Sequence, residues 1–242
     1  MIETNDVISF KRAIDAISSF ISEGNFRFSE KGVSLRAVDP SQIVLVDCFI
    51  DKSAFSQYVI EPTYVGVDVV EFSRMLARSL PNDKLLMDVG ESEIELNLEG
   101  DFYRTFQLPL IDVSDSEKEL KLPTQNFDAK VEVNARLLKE ALKDAQIFGS
   151  SVVVKVKDGK FGLEAKGSPG TLKTISKQSH MVVVSSTVNV TSKYSLNFLT
   201  NVVKEADNDS PIVLEFKSDA PMRVTYSIGK ARMQYYLAHM IL

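Results

Sequence analysis

Phe10-Lys11-Arg12-Ala13-Ile14-Asp15-Ala16-Ile17, followed by Gly32-Val33-Ser34-Leu35-Arg36-Ala37, decides the fold because the same order comes twice. The first stretch has helical spacing and the second alternates like a strand. About 125 residues later stand Ala135-Arg136-Leu137-Leu138-Lys139-Glu140-Ala141-Leu142 and then Lys160-Phe161-Gly162-Leu163-Glu164-Ala165. A second pair repeats as well. Val69-Val70-Glu71-Phe72-Ser73-Arg74-Met75-Leu76 leads to Asn82-Asp83 and Leu85-Leu86-Met87. Tyr194-Ser195-Leu196-Asn197-Phe198-Leu199 leads to Asn208-Asp209 and Ile212-Val213-Leu214. The period far exceeds the roughly 20–50 residues of a solenoid. The chain therefore reads as two copies of one domain-sized fold, which points to a symmetric scaffold before it points to an enzyme.

Working outward, four segments carry one-sided helical spacing: 8–21, 72–80, 134–147 and 193–206. Their apolar faces begin with Ile8 and Phe10, Phe72 and Met75, Leu137 and Leu138, and Tyr194 and Leu196. Each such stripe must lie on something. Asn134 and Ser192 are expected N-caps. Between the helices run strand-like alternations at 94–98, 152–156, 181–184, 212–216 and 223–226, punctuated by turn signals such as Glu30-Lys31-Gly32 and Asp158-Gly159. Each half is thus expected to be an α+β layer structure of about two helices on antiparallel strands. Residues 111–126 fit neither pattern and are polar and acidic. They predict a connector at 113–126 between domains at 1–112 and 127–242.

Composition bounds the class. The 242 residues are 44% hydrophobic and 25% charged, enough apolar content for a core. No apolar run approaches the roughly 18 residues of a membrane span, and no leader pattern opens the chain, so a cytoplasmic protein is expected. The lone Cys48 excludes an internal disulfide, and the apolar run at 43–49 places it in the core.

The net charge of −5 argues against nucleic acid until it is located. The four helical segments hold nine Lys and Arg against four acids, a net +5 that leaves −10 for the rest. One basic helix is ordinarily a solvated face, but four repeated ones in an acidic chain read as a phosphate-binding surface. No aromatics interleave with these cations as a base-stacking platform requires, which favours duplex over single-stranded DNA.

Catalytic signals are missing. The chain has no P-loop and no Gly-x-Gly-x-x-Gly after a strand. Its two histidines, His180 and His239, are far apart and lack cysteine partners for zinc. Asp112, Asp115 and Glu117 read as a solvated linker rather than a cation site. No cofactor, no metal and no enzymatic activity are expected.

Leu35-Arg36-Ala37-Val38-Asp39-Pro40-Ser41-Gln42-Ile43-Val44-Leu45-Val46 resembles the signature after the first helix of the DNA sliding clamps, the proliferating cell nuclear antigen family, in its archaeal form. Val65-Gly66-Val67-Asp68-Val69, Pro221-Met222-Arg223-Val224 and Tyr235-Tyr236-Leu237-Ala238 resemble it too. The resemblance implies a DNA-clamp fold with two similar domains per chain, six domains forming a ring, helices lining the hole and sheets outside. Lys11, Arg12, Arg74, Arg78, Arg136, Lys139, Lys143, Lys193 and Lys204 would face double-stranded DNA. A client peptide motif would meet Val38, Gln42, Ile43, Leu45, Leu120, Leu122, Pro123, Phe127, Pro221, Tyr236 and Ala238. Subunits would join through edge strands at 102–108 (Phe102, Tyr103, Arg104, Thr105, Phe106) and 171–177 (Thr171, Leu172, Lys173, Ile175, Lys177). Implied partners are a clamp loader, DNA polymerase, flap endonuclease and DNA ligase, with a nucleoid-associated location, in a homotrimer or heterotrimer. The chain departs from the family pattern at His239-Met240, where proline and a basic residue are usual. It also departs at Gln42, where histidine is frequent, and at an ending without an acidic tail. A subunit of a mixed or checkpoint-type ring is one alternative. A duplicated α+β ligand-binding protein or hydrolase is another.

Overall fold

In the computed structural model, which describes residues 1–112, 120–186 and 188–241, the chain divides into two units. One holds Met1–Gln42, Val46–Lys121 and Ile228–Met233; the other holds Ile43–Leu45, Leu122–Ser227 and Gln234–Leu242. The first half of the sequence builds β1 (Ile2–Thr4), α1 (Val7–Ser18), β2 (Glu23–Ser29), β3 (Gly32–Val38), β4 (Val44–Asp51), β5 (Gln57–Tyr58), β6 (Thr63–Asp68), α2 (Val69–Leu76), β7 (Lys84–Val89), β8 (Glu93–Glu99) and β9 (Tyr103–Pro109). The second half builds β10 (Ala129–Asn134), α3 (Ala135–Gln146), β11 (Ser151–Lys157), β12 (Lys160–Gly167), β13 (Gly170–Ile175), β14 (Val182–Ser186), β15 (Val190–Ser195), α4 (Leu196–Val203), β16 (Pro211–Phe216), β17 (Met222–Ile228) and β18 (Ala231–Leu237).

The repeat in sequence is a repeat in topology. Neighbouring strands of the first half run β5-β1-β7-β8-β9 and β4-β3-β2-β6; those of the second run β14-β10-β16-β17-β18 and β13-β12-β11-β15. The two orders match strand for strand when β1 is set against β10. The helices match in length, 12 residues in α1 and α3 and 8 in α2 and α4. The strand pairs are antiparallel, as in β8–β9, where Glu93 faces Pro109 and Glu99 faces Tyr103. The α+β expectation holds.

Local chemistry sets the element ends. Asp6 accepts from the Ser9 N–H at 3.0 Å to start α1, and Asp68 accepts from the Glu71 N–H at 2.9 Å to start α2. Asn134 caps α3 through the Leu137 N–H, as expected. The Asp68 cap moves α2 three residues earlier than the predicted 72–80, and the helix stops at Leu76. At the fourth helix the apolar pattern misleads in the other direction. Residues 190–195 alternate in burial and pair with β11, so Ser192 and Tyr194 are buried strand residues and Ser192 caps nothing. Between β2 and β3 the turn needs Gly32, with φ of +141°, because a Cβ there would sit 2.1 Å from the Ile50 carbonyl oxygen.

Each unit has its own core. In unit 1, Phe10 meets Phe55 and Phe72 edge to face, and Phe72 meets Phe26 at 6.0 Å, tying both helices to the sheet. In unit 2 buried tyrosines add hydrogen bonds to the packing. Tyr226 donates its hydroxyl to the Val202 carbonyl at 2.8 Å, meeting a C-terminal carbonyl of α4, and stacks on Tyr235. Cys48 is buried, as expected. Ile8 and Leu137 are exposed, against the apolar faces assigned to them. No helix among the described residues is long and apolar enough to cross a membrane.

Candidate nucleic-acid interface

Within their observed bounds the four helices carry six cations and four acids, a net of +2 rather than +5. Glu71 falls inside α2, while Arg78, Lys193 and Lys204 fall outside helices. Most helical cations have an acidic neighbour. Lys11 pairs with Asp15 one turn on, Arg74 with Glu71 at 2.6 Å, Lys143 with Glu140 at 2.7 Å, and Arg136 with Asp209 at 2.9 Å. The last three pairs are largely solvent-exposed, and such pairs contribute only about 0–1 kcal/mol. A phosphate can displace the acid at little cost.

In unit 1 the two helices lie together, with the Ser73 hydroxyl donating to Asp15 at 2.6 Å. This brings Lys11, Arg12 and Arg74 onto adjacent helices, with the exposed Arg78 in the turn after α2. In unit 2, Gln146 donates to the Thr200 hydroxyl across α3 and α4 at 3.2 Å. Arg136 and Lys143 are exposed, and Lys204 follows the end of α4. Two expected cations stand apart. The Lys139 ammonium donates to the Ala206 carbonyl at 2.6 Å and to Asn208 at 3.0 Å, so it holds the loop after α4. Lys193 lies on β15 between buried Ser192 and Tyr194, and alternation turns it to the opposite sheet face. Sequence reasoning counted charges and so passed over Asn197, an exposed donor on α4. Its place four residues before Asn201 was the available signal.

The residues expected to bind clients also acquire places. In unit 1, buried Asp39 accepts from the Ser41 N–H at 3.0 Å and shapes a turn that puts Gln42, exposed, at φ of +59°. Val38 and Leu120 are half-buried. In unit 2, the Ile43 carbonyl accepts from the Ala238 N–H at 2.9 Å. Gln125 donates to the Pro221 carbonyl at 2.8 Å, and Arg223 lies over the Phe127 ring at 4.8 Å. Leu45 and Leu122 are half-buried and Pro123 is exposed. Tyr236 is buried, its hydroxyl bonded to Gln234, and is a core residue. Asp115 and Glu117, like the rest of the connector's first half at 113–119, lie outside the described residues.

Strands β9 and β13 each end their sheet's order. Phe102 and Tyr103 are 71% and 65% exposed, and Ile175 is 55% exposed. Thr105 donates to Asn97 at 2.6 Å, and Phe106 and Leu172 are half-buried. Thr171, Lys173 and Lys177 are exposed. Arg104 turns inward, bonding Asp83 and the Arg78 carbonyl.

Comparison with known proteins bears on both halves. Residues 2–115 match the N-terminal domain of proliferating cell nuclear antigen, and residues 121–240 match its C-terminal domain. A Thermococcus kodakarensis protein named DNA polymerase sliding clamp 1 is 32% identical over 95% of this chain and 93% of its own length. A crystal structure of proliferating cell nuclear antigen from Thermococcus kodakaraensis superposes with a TM-score of 0.92 at 24% identity, covering 99% of both chains. A PCNA2–PCNA3 complex structure from Sulfolobus tokodaii gives 0.87 at 24% identity, covering 98% of both chains.

Proposed function

Because this chain belongs to the proliferating cell nuclear antigen family, we propose that it is a sliding clamp, a scaffold without catalysis of its own that encircles duplex DNA. The observation that carries the reading is the shared strand order of the two halves, which leaves β9 and β13 as open edges. Edge strands present unpaired backbone groups. Joining β9 of one copy to β13 of the next is a head-to-tail contact, and such contacts generate rings when the rotation closes. Three copies, six domains, give the ring. Phe102, Tyr103, Thr105, Phe106, Thr171, Leu172, Lys173, Ile175 and Lys177 serve this contact, and Arg104 stiffens its strand from within.

The helices face the hole. Lys11, Arg12, Arg74, Arg78, Arg136, Lys143 and Lys204, with Asn197, touch phosphates without reading bases, so the ring slides. Lys139 and Lys193 support loops and the sheet instead. Residues 113–126 connect the domains. Val38, Gln42, Ile43, Leu45, Leu120, Leu122, Pro123, Phe127, Pro221 and Ala238 receive a short peptide motif of DNA polymerase, flap endonuclease and DNA ligase. Tethering raises each client's effective concentration at its substrate. A clamp loader opens the ring, and the protein works in the cytoplasm on the nucleoid. A mixed ring is the second reading, favoured by the likeness to a complex of two differently numbered clamp proteins.

The test is retention on singly nicked circular DNA after loading, compared with the same DNA linearised. A ring stays on the circle and leaves the linear form by sliding off its ends. Equal retention on both, or on neither, overturns the reading.

A further inference from the structure

We propose that unit 1 carries a small-oxyanion site, for a phosphate or carboxylate group, on the face of its β2–β3–β4–β6 strands opposite the helices. The face follows from alternation. Phe26 on β2 meets Phe72 of α2, so its neighbours Asn25 and Arg27 project from the other side. The register sets Arg27 opposite Ser34 and opposite Tyr64, bringing β2, β3 and β6 together there. Asn25, Arg27, Ser34, Arg36, Asp47 and Tyr64 line a cavity of about 280 Å³, with Leu35 and Leu120 as its apolar walls.

The chemistry of this cavity is one-sided. The Asn25 side-chain amide nitrogen is buried, with no acceptor among the described residues. A buried donor left unpaired costs about 1–3 kcal/mol. The Arg27 guanidinium sits 5.1 Å over the Tyr64 ring and forms no hydrogen bond or ion pair among the described residues. Asp47 is the one carboxylate of the lining, and it is already engaged twice. One oxygen accepts from Arg36 at 2.8 Å and the other from Arg232 at 3.3 Å. Arg36 in turn donates to the Leu120 carbonyl at 2.8 Å. Three guanidinium groups thus stand against one carboxylate, and the unmet groups are donors. The charged lining is mainly cationic and the buried Asn25 amide nitrogen is an unpaired donor, and an oxyanion supplies several acceptors at once. Its volume equals about nine waters at ~30 Å³ each, so a small organic acid or phosphate ester fits as well as the bare ion. This site is independent of DNA and shares only Leu120 with the proposed client surface.

The probe is inorganic phosphate, followed by its ³¹P line width as the protein is added at constant ionic strength set with chloride. Saturable broadening is expected. Arg27→Gln, an exposed side chain whose loss leaves the core untouched, weakens it by about tenfold or more. Arg74→Ala/Arg78→Ala leaves it unchanged, separating this site from the helical cations. Acetate competition then tells whether a carboxylate is accepted beside phosphate; either answer leaves the site standing. Absence of saturation, equal broadening with a folded Arg27→Gln protein, or loss in the helical double variant instead overturns the proposal.

Discussion

Cys48 on β4 has its thiol pushed up to about 12, by burial first and by the neighbouring Asp47 carboxylate second. The thiolate is the reactive form, so native protein at pH 8 should react with an aromatic disulfide reagent only as fast as it unfolds. Immediate stoichiometric reaction would refute this. Glu164 is the opposite case. The Lys155 ammonium, 2.5 Å away, holds its carboxyl below the ordinary range, and Lys173 adds to the effect. The folded state binds this proton more weakly than the unfolded one. The contribution to stability is therefore full above the ordinary glutamate range and disappears as pH falls through the folded value. Glu164→Gln should be less stable than the parent at pH 7, and the gap should close on acidification below about 4.5. A gap independent of pH would remove the ion pair from the account. At the helices, Arg74→Ala/Arg78→Ala should cut retention on circular DNA and lower the salt slope by about 0.9 for each phosphate that is no longer neutralised. Individual residues were legible where burial alone decided them, as with Cys48. They were illegible where a partner decided, because nothing in the order of letters announces that Lys139 is bound to Ala206 and Asn208.

Elements were legible where one periodicity ruled. Residues 134–147 show a single helical pattern behind an Asn cap, and α3 follows it. Residues 193–206 show two patterns at once, since Tyr194 suits a buried strand position as well as a helical stripe. Pairing with β11 resolves the conflict in favour of the strand. At α2, the acidic cap Asp68 starts the helix at Val69, ahead of the expected 72–80. Asp68→Ala should therefore cost about 1 kcal/mol, within the 0.5–2 kcal/mol of lost caps, read as a fall in denaturation midpoint. A neutral result would assign the helix start to packing of Val69 and Phe72 alone. In the connector, half-buried Leu122 tests the client surface. Leu122→Ala should weaken a client peptide about fivefold or more by calorimetry while leaving the melting temperature in place. Undiminished binding would move the client elsewhere.

For the whole molecule, the duplication was the most legible feature, and it was legible because domain-sized repeats survive in the order of patterns even when few letters match. Which strands lie at the edge came only through the family resemblance, which named 102–108 and 171–177, and not from the residues, since edges depend on long-range pairing. Light scattering behind size exclusion should give the mass of three protomers. Ile175→Asp, a charge placed on the exposed β13 edge, should shift it to one protomer with the secondary structure intact. A persistent trimer in that variant would place the contact on another edge, and a persistent monomer in the parent would favour the mixed ring.

The two units do not respect the order of synthesis. Unit 1 includes Ile228–Met233, which the chain presents more than a hundred residues after Lys121. During translation at roughly 5–20 residues per second, the first unit therefore waits on the order of ten seconds for its last piece. A ribosome that stalls between Lys121 and Ile228 therefore leaves neither unit whole.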